Sequence, residues 1–155
     1  MELDAQGIEE LLRPENIRIV EEVSSWEDAI RVACRPLVEG GYAEPHYAEN
    51  IIKDTEELGP YYVLTEDVAL IHARPEEGAI RKQMAVTLVR QPVVFSEESF
   101  PVRILFALAA EDADSHIEVI RMLANICMDE ERVRQLAECA TTAEAYRMLT
   151  SPEGR

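Results

Sequence analysis

The sequence predicts an α/β protein with a mixed central β-sheet of about five strands flanked by helices on both faces. Three observations lead there. Short β-branched segments alternate with longer ones whose apolar residues recur at helical spacing. The segment Val102-Arg103-Ile104-Leu105-Phe106-Ala107-Leu108 is apolar along nearly its whole length, the pattern of a strand covered on both sides. Turn formers such as Gly40-Gly41 and Gly59-Pro60 fall between the segments. Interleaved strands and helices bury their apolar surfaces by stacking helices on the two faces of a sheet.

Residues 4–13 place Ile8, Leu11 and Leu12 at helical spacing before Pro14, and predict a helix. Ile17–Val20 reads as a short strand. Ser24 and Glu27 have capping-box spacing, in which two side chains reciprocally satisfy amides at a helix start. Behind them Trp26, Ala29, Ile30, Ala33 and Leu37 form one stripe, closed by Gly40-Gly41. A helix over 46–58 turns Tyr47, Ile51 and Leu58 inward. Strands follow at Tyr61–Leu64 and Val68–His72, separated by Thr65-Glu66-Asp67. Met84–Val89 is β-rich, Gln91-Pro92 interrupts it, and Val93-Val94-Phe95 resumes the extended pattern.

Beyond the strand 102–108 the chain is helical. His116, Ile120, Leu123 and Cys127 share a face, then Val133, Leu136 and Ala137. Ala145 to Leu149 follow a second capping box at Thr141 and Glu144. Residues 1–150 read as a single domain and 151–155 as a loose tail.

Composition bounds the function. At 155 residues, 47% hydrophobic and 30% charged, the chain suits one globular domain with a substantial core. No apolar run approaches the ~18 residues of a membrane span, and Met1-Glu2-Leu3-Asp4 lacks the layout of a signal peptide. The expectation is a cytoplasmic protein without direct membrane insertion. Cys34, Cys127 and Cys139 form no Cys-x-x-Cys pair, so they are expected as buried or part-buried thiols in helices rather than disulfides or zinc ligands. With 31 acidic against 15 basic residues the net charge is −16. Nucleic acid binding requires a cationic footprint that this balance denies. An acidic surface fits a basic protein partner, or simply solvation. No Gly-rich phosphate loop, metal-spaced cluster or Gly-x-Ser-x-Gly elbow is present, so neither a metal nor a cofactor is expected.

The residues that point to chemistry are two of the three histidines. Val68-Ala69-Leu70-Ile71-His72-Ala73-Arg74-Pro75 is an apolar strand that delivers an imidazole at its carboxyl end, where ligands of open α/β sheets gather. Imidazole alone has an unperturbed pKa near neutrality. Arg74 adds a planar guanidinium suited to phosphate or carboxylate, and Pro75 restricts the exit of the chain. A strand-end histidine can equally do no more than bond a backbone carbonyl.

Ser115 and Glu118 also have capping-box spacing, which makes Ser115 the expected N-cap and His116 the first helical residue. A helix start offers unpaired N–H groups to an anion. His116 shares a face with Ile120 and Leu123 and is expected to point toward the sheet, or to bond locally at the helix start. Two imidazoles near strand ends suit a phosphoryl group, whose transfer demands alignment and dispersal of charge rather than much covalent work by the protein. His46 is expected at the surface, and Glu76 and Glu77 as solvated loop charge or as carboxylates that orient an imidazole or bind a sugar.

Together these residues resemble a known family. Tyr42-Ala43-Glu44, Gly59-Pro60-Tyr61-Tyr62, Val68 to Glu76, Pro92-Val93-Val94-Phe95, Leu108-Ala109-Ala110 and Ser115-His116-Ile117-Glu118 resemble, in order and spacing, the enzyme IIA domains of the sugar phosphotransferase system, mannitol–fructose class. The string His72-Ala73-Arg74-Pro75-Glu76 looks most like the ascorbate-specific branch. The resemblance implies that His72 takes a phosphoryl group from phospho-HPr and passes it to a cysteine of the IIB component, which serves the membrane permease IIC. It implies that His116 assists without being phosphorylated; from residue chemistry, Arg74 and the Ser115 helix start are expected to add supporting charge. Two positions depart from the class: Ile71 stands where proline often precedes the histidine, and Thr55 where the mannitol type carries arginine. Domains of this family also act as regulators whose phosphorylation state is sensed. An anion-binding domain without transfer is a third reading.

Overall fold

The structure, a computed structural model, describes residues 11–110 and 113–150. Its strands are β1 (Leu12–Val20), β2 (Val63–Thr65), β3 (Asp67–Ile71), β4 (Gln83–Val93) and β5 (Val102–Ala109). Its helices are α1 (Trp26–Glu39), α2 (Tyr47–Leu58), α3 (Ala113–Cys127), α4 (Glu130–Glu138) and α5 (Thr142–Thr150). The strands form one sheet in the order β1-β4-β5-β3-β2. β1 runs parallel to β4 and β3 parallel to β5, while β4–β5 and β2–β3 are antiparallel. The mixed five-stranded sheet expected from the sequence is the sheet observed.

Alternation along the strands divides the core in two. Val68, Leu70, Met84, Val86, Ile104 and Phe106 face one side with Val119, Leu123, Leu136 and Leu149 of α3, α4 and α5. Ala69, Ile71, Ala85, Leu105 and Ala107 face the other with Ile30, Leu37, Tyr47 and Ile51 of α1 and α2. The period of two thus feeds both faces of β3, β4 and β5.

Several element boundaries differ from the sequence expectation. The helix expected over 4–13 lies mostly outside the described residues, and β1 begins already at Leu12. Leu12 pairs with Met84 and Ile17 with Val86, so the intervening residues bulge from an edge strand. Pro14, with no N–H to give a ladder, lies in that bulge. β4 is one strand through Gln91-Pro92, its register shifting between Leu88 and Val93.

The first cap falls one residue later than expected. The Asp28 amide donates to Ser25 Oγ at 3.1 Å, and the Ser24 amide donates to Asp28 Oδ2 at 3.4 Å. Trp26 is then the first helical residue and packs against the core. At α5 the expected cap forms, with the Glu144 amide donating to Thr141 Oγ1 at 3.1 Å and Glu144 Oε1 accepting from the Ala140 amide at 2.9 Å. α4 has no basic residue in its last turn; Arg90 of β4 reaches the Ala137 and Cys139 carbonyls instead, at 3.3 and 2.8 Å. Cys34 is buried in α1 and Cys127 part-buried in α3, as expected, but Cys139 lies just past α4 in extended backbone rather than in a helix.

The β2–β3 turn closes through Asp67, whose φ of 73° lies in the left-handed region. Its carboxylate accepts from Arg103 Nε and Nη2, both at 3.0 Å. Asp67→Ala is expected to cost about 1–3 kcal/mol, from backbone strain plus a lost bidentate pair. Asp67→Gly relieves the strain and should recover part of that loss in a urea melt. Equal losses in the two variants would show that the backbone conformation contributes nothing.

Candidate active site

Parallel pairing of β3 with β5 brings their carboxyl ends to one edge of the sheet, with Ile71 opposite Ala107. His72 is the first residue beyond β3, and β5 leads from the same edge toward α3. His72 Nδ1 lies 2.7 Å from the Leu70 carbonyl oxygen. A carbonyl only accepts, so in the neutral ring Nδ1 carries the hydrogen and Nε2 the lone pair. The carbonyl-bonded reading of this histidine thus holds, and the bond that satisfies the ring also selects its tautomer.

Burial lowers the His72 pKa from its ordinary 6.5, only partly opposed by the bond to Leu70. The ring is therefore neutral at pH 7. Linkage has a definite sign here. The folded pKa lies below the unfolded one, so the contribution to stability is present above the unfolded value and lost as pH falls through the folded value. Imidazole NMR is expected to show His72 titrating below 6.5, and a midpoint at or above that value would contradict this environment.

Three tyrosines surround the strand end. Tyr61 donates its hydroxyl to the His72 carbonyl at 2.6 Å and meets the imidazole edge-on, with centroids 5.5 Å apart. Tyr62, buried, packs edge-on against Tyr61 and shares a 2.7 Å hydrogen bond with Thr55 Oγ1. Tyr47, also buried, donates to the Leu108 carbonyl at 2.7 Å and accepts from the Ala73 amide at 3.1 Å. Burial pushes the Tyr47 and Tyr61 phenols well above their ordinary pKa and Tyr62 up to about 12, so all three remain protonated donors.

A cleft of about 430 Å³ opens here, lined by His72, Ala73, Arg74 and Glu77 from the β3 exit and by Asp54, Glu57, Leu58 and Tyr61 from the end of α2. Leu58, expected inward, is 73% exposed because it lies on this rim. Arg74 Nε lies 3.1 Å from Glu77 Oε1 and 3.9 Å from Glu76 Oε2. Glu76 is solvated as expected. Glu77 is not: its side chain is 15% exposed, and its carbonyl accepts from Asn50 Nδ2 at 2.6 Å. Burial works against the Glu77 carboxylate, but side-chain and backbone hydrogen bonds from Arg74 outweigh it and hold the pKa below the usual value. Burial and a hydrogen bond to Glu77 hold Asp54 above its usual value.

α3 begins at Ala113, so Ser115 is its third residue and His116 its fourth, not the N-cap and first residue expected. Alanine is the strongest helix former, and Ala113 favours a helix start ahead of the serine. The side chains of Ser115 and His116 lie outside the described residues. Thr55 is buried and bonds the Ile51 carbonyl at 2.8 Å, so it faces the core rather than the cleft. His46 is exposed at the start of α2.

A larger cleft of about 570 Å³ lies at the other end of β3, around Asp67, Arg103, Glu131, Arg134 and Glu138. Arg103 pairs there with Asp67 and Glu138, and Arg134 with Glu131 and Glu138. Cys127, in the same wall, has its thiol pushed up to about 11 by burial and so is no nucleophile at neutral pH. Of the two clefts, the smaller is the one with an imidazole in its wall.

Among the described residues no helix is long and apolar enough to cross a membrane, and no group of three His, Cys, Asp or Glu could hold a metal ion. Residues 10–151 match the family described as phosphoenolpyruvate-dependent sugar phosphotransferase system, EIIA 2. The ascorbate-specific PTS system EIIA component of Shigella boydii is 36% identical over 141 residues, 90% of this chain and 92% of that protein. The solution structure of the mannitol-specific cryptic phosphotransferase enzyme IIA of Escherichia coli superposes with a TM-score of 0.85 at 31% identity, over 92% of this chain and 97% of that one. Enzyme IIA mannitol of Escherichia coli, solved in complex with phosphorylated enzyme IIB mannitol, gives 0.78 at 30% identity over 94% and 100%. The chain belongs to the EIIA type 2 family of the phosphoenolpyruvate-dependent sugar phosphotransferase system, and is a phosphotransferase.

Proposed function

We propose that this protein is a cytoplasmic, single-domain phosphocarrier in which His72 accepts a phosphoryl group from phospho-HPr and passes it to a cysteine of a IIB component. The observation that carries this reading is the 2.7 Å contact between His72 Nδ1 and the Leu70 carbonyl. It assigns the lone pair to Nε2 in a ring that burial keeps neutral. The Nε2 lone pair forms the bond to phosphorus as the donor's bond to phosphorus breaks, and Nδ1 keeps its proton against Leu70. The step reverses toward IIB. His116, near the start of α3, is assigned as the assisting hydrogen-bonding residue, with Ser115 and Arg74 as supporting charge. Phosphoryl chemistry of this kind rests on alignment, which the rigid strand end supplies.

The complex of the similar IIA mannitol with phosphorylated IIB mannitol supports IIB as acceptor. IIC is reached only through IIB. The ascorbate-specific relative, together with His72-Ala73-Arg74-Pro75-Glu76, supports L-ascorbate or a related sugar or sugar alcohol as the transported substrate. Incubation with enzyme I, HPr and labelled phosphoenolpyruvate is expected to give one acid-labile label, mapped to His72. Label that survives His72→Ala would overturn the assignment. Chase with candidate IIB proteins then identifies the acceptor and with it the sugar.

A further inference from the structure

The backbone around His72 leaves the sheet in an unusual way. Within β3 the Leu70 amide donates to the Tyr62 carbonyl at 2.8 Å, so Leu70 faces the β2 side and the alternate residues Ala69 and Ile71 face β5. Continued by two residues, the register Ile71 opposite Ala107 sets Ala73 opposite Ala109. The slanted rung of a parallel ladder at that point would run from the Ala73 N–H to the Leu108 carbonyl. In its place stands the Tyr47 hydroxyl, accepting from the Ala73 amide at 3.1 Å and donating to the Leu108 carbonyl at 2.7 Å. On the other side the His72 carbonyl is taken by the Tyr61 hydroxyl at 2.6 Å and the Leu70 carbonyl by His72's own ring at 2.7 Å.

We propose that Tyr47 and Tyr61 are positioning residues for His72, their hydroxyls replacing backbone rungs on the two sides of the strand end and so setting where the imidazole stands. Tyr47 holds the strand end one hydroxyl's width from β5, the strand that leads into the helix bearing His116. Tyr61 fixes the carbonyl of His72 itself and lies edge-on to its ring. Neither phenol reacts; both act through the histidine. The inference rests on His72 being the phosphoryl acceptor.

Tyr47→Phe and Tyr61→Phe each keep the ring and delete the rung. Thr55→Val is the matched control, since it deletes a buried hydroxyl of α2 that bonds Tyr62 and does not touch the His72 segment. With label confirmed to vanish in His72→Ala, each phenylalanine variant is expected to accept phosphoryl from phospho-HPr with kcat about tenfold lower and KM within about two-fold of wild type. The His72 imidazole nitrogen shifts are expected to move in both, while Thr55→Val changes neither readout. A kcat reduced less than about five-fold in either variant that folds overturns the proposal, as does an equal loss in Thr55→Val. Tyr61, part-exposed, remains a test if Tyr47→Phe does not fold. Label surviving His72→Ala would instead defeat the assignment of the acceptor, an outcome separate from these.

Discussion

His72→Gln is expected to abolish phosphoryl acceptance and leave the fold intact. Glutamine has similar reach, and its amide can donate to the Leu70 carbonyl that now receives Nδ1. Tyr61 bonds the backbone carbonyl of residue 72, which the substitution keeps. The stability change should therefore stay within about 1 kcal/mol. An amide nitrogen has no lone pair available to attack phosphorus, so the nucleophile is removed outright. Loss of a covalent nucleophile elsewhere costs roughly 10⁴–10⁶ in rate, and a loss of that order is expected here. Labelling from phospho-HPr beside a thermal melt separates the two effects. Retained labelling at an unchanged melting temperature would place the acceptor elsewhere.

Phe106→Ala is expected to produce the largest loss of stability. Phe106 is 1% exposed at the middle of β5, between Leu70 of β3 and Val86 of β4, and joins the core beneath α3, α4 and α5. Its neighbours belong to the two flanking strands and to the helices above, and cannot all close inward, so truncation leaves a cavity. The cost should be about 3–5 kcal/mol. That is a large part of the roughly 5–15 kcal/mol that holds a domain of this size, and corresponds to a fall in Tm of about 10 °C. Phe100, 52% exposed, is the comparison: Phe100→Ala should change stability by only about 0.5 kcal/mol. A urea melt of Phe106→Ala with a loss below about 1.5 kcal/mol would mean that this face is not close-packed.

Much of the layer structure was legible because it rests on local patterns. Val102–Leu108 is apolar on both faces because helices cover both faces, and α1 follows from the stripe Trp26 to Leu37. The cap at Thr141 and Glu144 needed only the side chains that form it. Boundaries failed where two residues compete for one role. Ser24 and Ser25 both suit an N-cap, and the packing of Trp26 selects Ser25. Leu58 matched the helical stripe, but α2 ends on the rim of a cleft, so its last leucine has no core to enter.

The site divides in the same way. His72 at a strand end followed by Arg74 could be read directly, since residue type and the order of elements carry that information. Glu77 could not be told from Glu76, because burial beside Arg74 and Asn50 separates them, and that depends on how the segment folds back on α2. Tyr47 and Tyr61 read as core and strand residues. Their hydroxyls acquire meaning only once β3, β5 and α2 are assembled: Tyr47 lies 61 positions from Leu108 and 26 from Ala73. Sequence alone thus determined the layers and the histidine proposed as nucleophile, because periodicity and side-chain chemistry are local. Tertiary structure alone decided the tautomer, charge state and fixed position of His72, because hydrogen bonds and burial from distant segments set them.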